Sequence, residues 1–494
     1  MSTPTPRPRA FVEADDVGIL ESPEAVLTTL TKEGDRRWMY PTPSKGRFWT
    51  RRLALGWALI AFFVALPVVR IGGKPAVLLD VVHREFTFFG FTFYPTDTFL
   101  LLLLGVAALL GVVFLTALLG RVWCGWGCPQ TVYLEFVFRP IERWIEGKEH
   151  VRQRRDEGPL TLDKAWRKAA KWAVYTVLAV GLAHTFVAYF VGWDRLVAWM
   201  TGPPTEQWGF FVLMAGTTAL MLFDFGVFRE QMCTIACPYA RMQSVLLDPD
   251  SLIVSYDPNR GEPRARRGKK KLRQEEAGLL PQRGDCIDCF ACVRTCPTGI
   301  DIRDGLQMEC VACTQCIDAC DAIMDRIGKP RGLIRYTSER ELDGKRTRWL
   351  RGRTVLYAGL LLAVSTVFTI ALTTRGTYDV NVGRAVGEPY TVLPDGQIAN
   401  RLRFRVHNQT PNATAFTIGV AEPEGASVRV VGVQPVGLEA QEMARTEVWV
   451  LLPPETFGGA PQQEGTFALT FTDGTVETVP FTLLGPMEQT PVDR

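Results

Sequence analysis

Five long apolar runs, a paired array of eight cysteines and a tail of short alternating segments predict a multi-domain membrane protein. The expected architecture is an α-helical transmembrane bundle of about five spans, a ferredoxin-like two-cluster insert and a C-terminal all-β, Ig-like sandwich. The 494 residues fit about three domains by length. The division expected is a disordered cytoplasmic tail (1–50), a four-helix membrane region (51–245) and a cytoplasmic segment (246–350) whose two-cluster core is 284–326. A fifth transmembrane helix (351–375) and the Ig-like domain (376–494) complete it.

The first fifty residues mix proline with acidic and basic residues and have no apolar core, so they do not read as a signal peptide. Within them, Lys45 to Arg52 is expected to lie at a membrane surface. The apolar runs follow at 53–69, 99–119, 173–191, 208–227 and 354–372. Each is about long enough to cross a bilayer as a helix, the first being the shortest and carrying Pro67.

The net charge of +3 says little, but the placement of Lys and Arg says more. Basic residues crowd the segment between the second and third runs, from Arg121 to Lys171, and again at Arg264 to Arg273. The loop between the third and fourth runs offers only Arg195. Both basic segments are therefore expected on the cytoplasmic side, with the N-terminus and the cysteine array, and the C-terminal domain outside. Beside a membrane span, the run at 264–273 reads as a cluster facing anionic lipid and not as a nucleic-acid site.

Eight of the 12 cysteines form two runs of C-x2-C-x2-C-x3-C: Cys286, Cys289, Cys292, Cys296 and Cys310, Cys313, Cys316, Cys320. This is a ligand spacing of two 4Fe–4S clusters, in which the fourth cysteine of each run serves the other cluster. The expected sets are Cys286, Cys289, Cys292 and Cys320 for one and Cys310, Cys313, Cys316 and Cys296 for the other. The remaining four cysteines, Cys124, Cys128, Cys233 and Cys237, form two C-x3-C-P motifs, one after the second run and one after the fourth. If a helix continues through each motif, its two sulfurs share one face. Four such thiols from two hairpins can enclose a soft metal; copper is a natural candidate and a third iron–sulfur cluster is another. His184 and Asp224 are the polar residues expected inside the membrane, Asp224 with Arg229 close enough to pair with it.

The tail alternates at 401–407, 415–420, 447–452, 466–472 and 479–484, with turn signals at Pro394-Asp-Gly396 and Thr472-Asp-Gly474. Pro480 places the last of these at a sheet edge. The tail holds no cysteine, and Asn408 and Asn412 head short glycosylation-type triplets.

The segment Tyr256-Asp-Pro-Asn-Arg-Gly-Glu-Pro-Arg264, the run Gly299 to Gln307 and the paired C-x3-C-P motifs resemble the FixG/RdxA/CcoG family of cytochrome c oxidase accessory proteins. The resemblance implies a multi-pass protein of the bacterial inner membrane with two 4Fe–4S clusters and a periplasmic Ig-like tail. It also implies a cupric reductase that turns Cu(II) into Cu(I) for assembly of the cbb3-type oxidase. On that reading Cys124, Cys128, Cys233 and Cys237 are the catalytic, copper-holding residues. The partners are membrane lipid, oxidase assembly factors or a copper chaperone or transporter, and an electron donor of unspecified identity. Asp321 departs from the ferredoxin pattern, where proline often follows the fourth cysteine; Pro297 keeps it. Two other readings use the same residues: a conduit exchanging electrons with a quinol near His184 and Asp224, and a scaffold on which the β domain docks a maturing oxidase subunit.

Overall fold

Hydropathy sets the largest elements. The computed structural model describes residues 28–30, 35–94, 97–266, 271, 274–275, 277–279, 283–374, 376–410, 412–439, 442–458 and 460–486. It divides into two compact units, Met1–Phe368 and Thr369–Arg494. Five helices are long and apolar enough to cross a membrane: Arg47–Ala65 (α1), Thr98–Leu119 (α2), Leu162–Val191, Trp208–Phe228 and Gly352–Thr373. At 1.5 Å per residue the 22 residues of α2 cover about 33 Å, enough for a hydrocarbon core of roughly 30 Å.

Two spans differ from the apolar runs. Helix α1 starts six residues before the apolar run and stops at Ala65, which leaves Pro67 outside it. The third span is a 30-residue helix that begins at Leu162, within the basic stretch. Thr161 caps it by accepting a hydrogen bond from the Lys164 N–H.

Between α1 and α2 the chain makes a three-strand antiparallel meander: Val77–Asp80 (β1), Glu85–Phe88 (β2) and Phe91–Phe93 (β3). After α2 come four short helices, Val122–Trp126 (α3), Pro129–Tyr133 (α4), Arg139–Glu146 (α5) and Glu149–Glu157 (α6), with a π-helical turn at Leu134–Phe138. The long Leu162–Val191 helix is α7, Trp193–Thr201 is α8, and Trp208–Phe223 (α9) continues as a π-helical turn over Asp224–Phe228. Tyr175, Ala179, Ala183 and Val187, spaced by four along α7, are all buried. Ala183 and Val187 pack with Met214 of α9. Small residues let two membrane helices approach closely.

The second motif, with a π-helical turn at Met232–Ala236, leads into Pro238–Leu246 (α10). The cysteine-rich insert is framed by a two-strand pair, Ile253–Tyr256 (β4) and Ile334–Thr337 (β5), and by Pro258–Gly261 (α11), Ala291–Thr295 (α12) and Gln315–Ile327 (α13).

The tail is an all-β sandwich. In chain order its strands are Tyr378–Arg384 (β6), Thr391–Val392 (β7), Ile398–Asn408 (β8), Thr414–Glu422 (β9), Ser427–Val430 (β10), Val436–Leu438 (β11), Met443–Leu452 (β12), Gln462–Phe471 (β13) and Val476–Leu484 (β14). One sheet runs β10–β12–β8–β6 with β7 on β8; the other runs β11–β9–β13–β14. Inward residues at every second position, Leu402, Phe404 and Val406 against Phe467, Leu469 and Phe471, build the core. Strand β14 is an edge strand, where Pro480 leaves no central ladder bond unmade. Asn408 is fully buried, and its amide donates to the carbonyls of Asn412 (2.7 Å) and Glu439 (3.0 Å).

Three expectations need correction. Of the disordered tail expected over 1–50, residues 1–27 and 31–34 lie outside the described residues, and 36–50 pack on protein: Arg36 pairs with Glu230, Tyr40 donates to Asp156, and α1 begins at Arg47. Arg52 is completely buried, because it lies inside protein and not at the lipid edge. No continuous helix runs through either C-x3-C-P motif. Cys128 (φ −64°, ψ 125°) and Cys237 (φ −72°, ψ 111°) are extended and act as N-caps of new helices that start with Pro129 and Pro238. A residue before proline is pushed out of the helical region, and proline favours the first helical position, so the sequence itself carries the break. Of the basic run at 264–273, Arg264 turns back to Glu262 and Asp304; most of the rest lies outside the described residues.

Candidate iron–sulfur and interface cysteine site

Each cysteine loop of the insert repeats one backbone shape. Asp288 and Phe290 flank Cys289 with φ of 52° and 55°; Ala312 and Thr314 flank Cys313 with φ of 52° and 61°. Left-handed conformations at non-glycine residues are strained by about 1–2 kcal/mol each. Here they curl the chain so that successive thiols face inward, and strain of this kind gathers at functional sites. A helix then follows each loop, α12 and α13, and carries the third cysteine of its run.

Two cavities result. One is lined by Cys286, Cys289, Cys292 and Cys320 together with Tyr256, Phe290 and Ile323. The other is lined by Cys296, Cys310, Cys313 and Cys316, with Cys292 on a shared wall. Cys320 thus stands with the first run and Cys296 with the second. All 12 cysteines are free thiols. Among the described residues no three His, Cys, Asp or Glu groups close on a single metal-ion point, and this holds for the four C-x3-C-P cysteines as well. Four thiols around each apolar cavity fit a 4Fe–4S cluster in donor chemistry and in number.

Burial in these apolar walls pushes the thiols up: Cys292 and Cys313 to about 12 and Cys310 to about 11. Burial outweighs the opposing charge of Arg303 at Cys292 and of Arg52 at Cys313. Thiols held protonated in this way ligate only by releasing protons, so loading of the site is linked to pH.

The two C-x3-C-P segments meet at the membrane edge of the insert. Cys124 feels Cys128, Cys237 and Cys310; Cys233 feels Cys128, Cys124, Cys237 and Asp224. The four interface cysteines are therefore electrostatic neighbours. Cys124 and Cys233 also pack with Val311, Cys313 and Tyr239. Burial raises Cys124 to about 12 against the pull of Arg121. Burial also raises Cys128, opposed by the Thr131 and Gln130 N–H groups at the start of α4.

Close approach of the two groups depends on Gly125. A Cβ there would meet the Ala312 carbonyl oxygen at 2.5 Å and that of Val311 at 2.7 Å. The contact is pinned on several sides. Arg52 Nε donates to the Gly125 carbonyl (2.9 Å), and Arg121 Nη1 donates to the carbonyls of Met308 and Cys310 (3.0 Å for the latter). Trp126 Nε1 donates to Tyr336 Oη (2.9 Å), which donates on to the Ala312 carbonyl (3.3 Å). Cys124 Sγ donates to Gln243 Oε1 (3.2 Å), a fully buried amide.

Arg52, Gln243, Trp126 and Tyr336 were not singled out from sequence. An arginine at the head of an apolar helix is itself a signal of a polar role within the membrane protein; the other three carry none. Asp224 does not pair with Arg229. Its carboxylate accepts from Gln130 Nε2 (3.1 Å), while Arg229 pairs with Glu142 (2.8 Å). His184 Nδ1 lies 2.7 Å from the carbonyl of Val180 on its own helix. Trp172 and Tyr175 of α7 meet Gly226 and Phe225 beside Asp224. His184 is nine residues beyond Tyr175, about 14 Å along the axis, so His184 and Asp224 do not share a site.

Comparison with known proteins agrees with this geometry. Residues 228–339 match a 4Fe-4S dicluster domain, residues 101–152 a 4Fe-4S binding domain, and residues 368–486 the IG-like fold at the C-terminal of FixG. The chain is 32% identical to nitrogen fixation protein FixG of Rhizobium meliloti, covering 86% of this chain and 88% of that one. It is 36% identical to protein RdxA of Cereibacter sphaeroides, over 80% and 84%. Ferredoxin-type protein NapH of Haemophilus influenzae is 21% identical over 58% of this chain and 91% of its own length. With five membrane-length helices and these 4Fe–4S domains, the protein is a multi-pass membrane iron–sulfur oxidoreductase, and the chain belongs to the FixG/RdxA family.

Proposed function

We propose that the protein is a cupric reductase of the bacterial inner membrane, reducing Cu(II) to Cu(I) for assembly of a cbb3-type oxidase. The observation that carries this reading is the close approach of Gly125 to Val311 and Ala312, which sets Cys124 and Cys233 of the two motifs against the Cys310–Cys313 loop. Cys286, Cys289, Cys292 and Cys320 would hold one 4Fe–4S cluster and Cys296, Cys310, Cys313 and Cys316 the other. When bound, these clusters supply electrons one at a time, which matches the single electron that turns Cu(II) into Cu(I).

The substrate ion is taken by Cys124, Cys128, Cys233 and Cys237. Thiolate sulfur is soft and favours the reduced ion, so the ligand set pulls the couple towards Cu(I). Burial favours the protonated form at Cys124 and Cys233, and an arriving cation displaces those protons. The Thr131 and Gln130 N–H groups oppose the effect of burial at Cys128 and favour its thiolate. Arg195 is alone in its loop and the basic residues gather between α2 and α7, so the cluster side is read as cytoplasmic and the β domain as periplasmic. Oxidase assembly factors, or a copper chaperone or transporter, are the partners this reading requires.

The test is Cu(II) reduction by the dithionite-reduced, detergent-purified protein, followed with a Cu(I) chelator. Serine at Cys124, Cys128, Cys233 and Cys237 together is expected to abolish turnover while the iron–sulfur absorbance stays. Normal turnover in that variant overturns the reading.

A further inference from the structure

Arg52 sits where an anion is needed. It is 0% exposed, and its Nε is used by the Gly125 carbonyl at 2.9 Å. Its Nη1 and Nη2 are both buried and meet no acceptor among the described residues. The guanidinium lies 5.5 Å over the Phe136 ring and within electrostatic reach of Cys313. An uncompensated buried ion is destabilised by several kcal/mol, and buried donors are rarely left without partners. A negative centre beside Cys313 would satisfy both demands.

The other cavity offers a contrast. Arg303 stands beside Cys292, but its Nη1 meets Asp288 at 2.5 Å and its Nη2 meets Asp301 at 2.5 Å, so two carboxylates offset its charge. Asp321, near Cys320, is itself paired with Arg47 (3.4 Å). At the second cavity Arg121 faces Glu309, while Arg52 has no carboxylate partner among the described residues.

We propose that Arg52 is a tuning residue, raising the reduction potential of the cluster held by Cys296, Cys310, Cys313 and Cys316 above that of the cluster held by Cys286, Cys289, Cys292 and Cys320. The inference rests on the reading of these cysteines as ligands. Reduction adds one electron and so one negative charge, and a cation in dry surroundings stabilises that added charge. No bond forms or breaks and no proton moves; the electron gained at one centre is the electron lost at the other. The electron then rests by preference beside Cys124 and Cys233, which pack on Val311 and Cys313. Direction along the chain is thereby set by one arginine of the first membrane helix.

The experiment is a redox titration of the full-length protein in detergent, with dithionite as reductant and EPR detection. Two midpoints are expected in the wild type, the higher one belonging to the signal that Cys313→Ser removes or alters. Arg52→Gln should change the oxidised-to-reduced ratio of that signal about tenfold at a fixed potential, a fall of about 59 mV for one electron. The other midpoint should stay, and Arg52→Lys, which keeps the charge, should recover most of the fall. An Arg52→Gln protein with both clusters and an unmoved higher midpoint overturns the proposal. If that variant loses a cluster, the wild type decides: coincident midpoints, or a higher midpoint on the signal that Cys313→Ser spares, overturn it. If Cys313→Ser leaves both signals intact, the ligand reading has failed, which removes the premise and is distinguishable from failure of the role of Arg52.

Discussion

The two C-x3-C-P segments share a backbone and differ in what holds it. Four residues before the first cysteine, each chain turns through the same unusual corner: Gly120 at φ 57°, ψ −129° and Arg229 at φ 54°, ψ −119°. Each then makes one short helical turn, ends extended at the second cysteine, and restarts with proline. Glycine reaches that corner freely, whereas a side-chain-bearing residue is strained there by about 1–3 kcal/mol. The first segment uses glycine and leans on the insert, through Gly125, Trp126 and Arg121. The second uses arginine and is gripped by a buried ion network. Arg229 and Arg152 both meet Glu142, and Glu230 meets Arg139 and Arg36. One segment is therefore shaped by the redox insert, and its partner is locked to the membrane-edge helices.

The largest effect expected from this difference is at Glu142. Its carboxyl is held well below the usual carboxylate range by Arg229, Arg152 and Lys171, which overcome the opposing effect of burial. Glu142→Ala leaves those three cations buried without their common partner, a loss of about 3–5 kcal/mol. A steep drop in thermal stability in detergent, with loss of the Cys233 and Cys237 geometry before the β domain melts, is the expected result. A variant with unchanged melting would show that the network does not hold the second segment.

Next in size is the corner itself. Gly120→Ala adds a Cβ that would meet the Leu252 carbonyl oxygen at 2.2 Å and strains a positive φ, so a loss of about 1–3 kcal/mol is expected. Arg229→Gly should not be the mirror image. It relieves the corner but takes from Glu142 one of its three buried cations, Arg152 and Lys171 remaining, so it also destabilises. Equal and opposite effects of the two substitutions, measured by thermal unfolding, would mean that the side chain of Arg229 contributes nothing beyond its backbone.

How much of this was legible from sequence depends on the range of the cause. Hydropathy gave the membrane helices because bilayer thickness acts on each run alone. Alternation gave β8, β9, β12, β13 and β14 for the same reason; β10 and β11 are too short to show it, while β6 does alternate, through Tyr378, Val380 and Val382. The break before Pro129 and Pro238 was legible in principle, since the cause is one residue away. The ion network was not. Arg139, Arg152 and Lys171 read as charges that fix orientation, yet they are 2%, 3% and 8% exposed and are paired across segments. Nothing local distinguishes a basic residue at a lipid surface from one paired inside. Arg52 and Gln243 escaped for the same reason, because their partners are 73 and 119 residues away.

The smallest effect expected is at the other side of the first segment, where α1 meets the insert. Asp318, two residues after Cys316, accepts hydrogen bonds from the N–H groups of Phe48 (3.2 Å) and Trp49 (2.7 Å). These are orphan donors at the start of α1, so a side chain of the insert caps a membrane helix from a distance. A Cβ on Gly46 would meet the Asp318 carboxyl carbon at 2.3 Å, so glycine there lets the carboxylate in. Phe48 also packs edge-on against Trp126 and Tyr336, which ties the cap to the first C-x3-C-P motif and not to the second. Asp318→Ala removes the cap at about 0.5–2 kcal/mol. Amide exchange at Phe48 and Trp49 should quicken, about tenfold for each 1.4 kcal/mol lost, and the thiols of Cys124 and Cys128 should gain reactivity in the metal-free protein. Cys233 and Cys237 should keep theirs, since the ion network that holds their segment does not involve Asp318. A uniform rise at all four thiols would show that the two segments open together, and that the division between an insert-held and a network-held motif does not survive in solution.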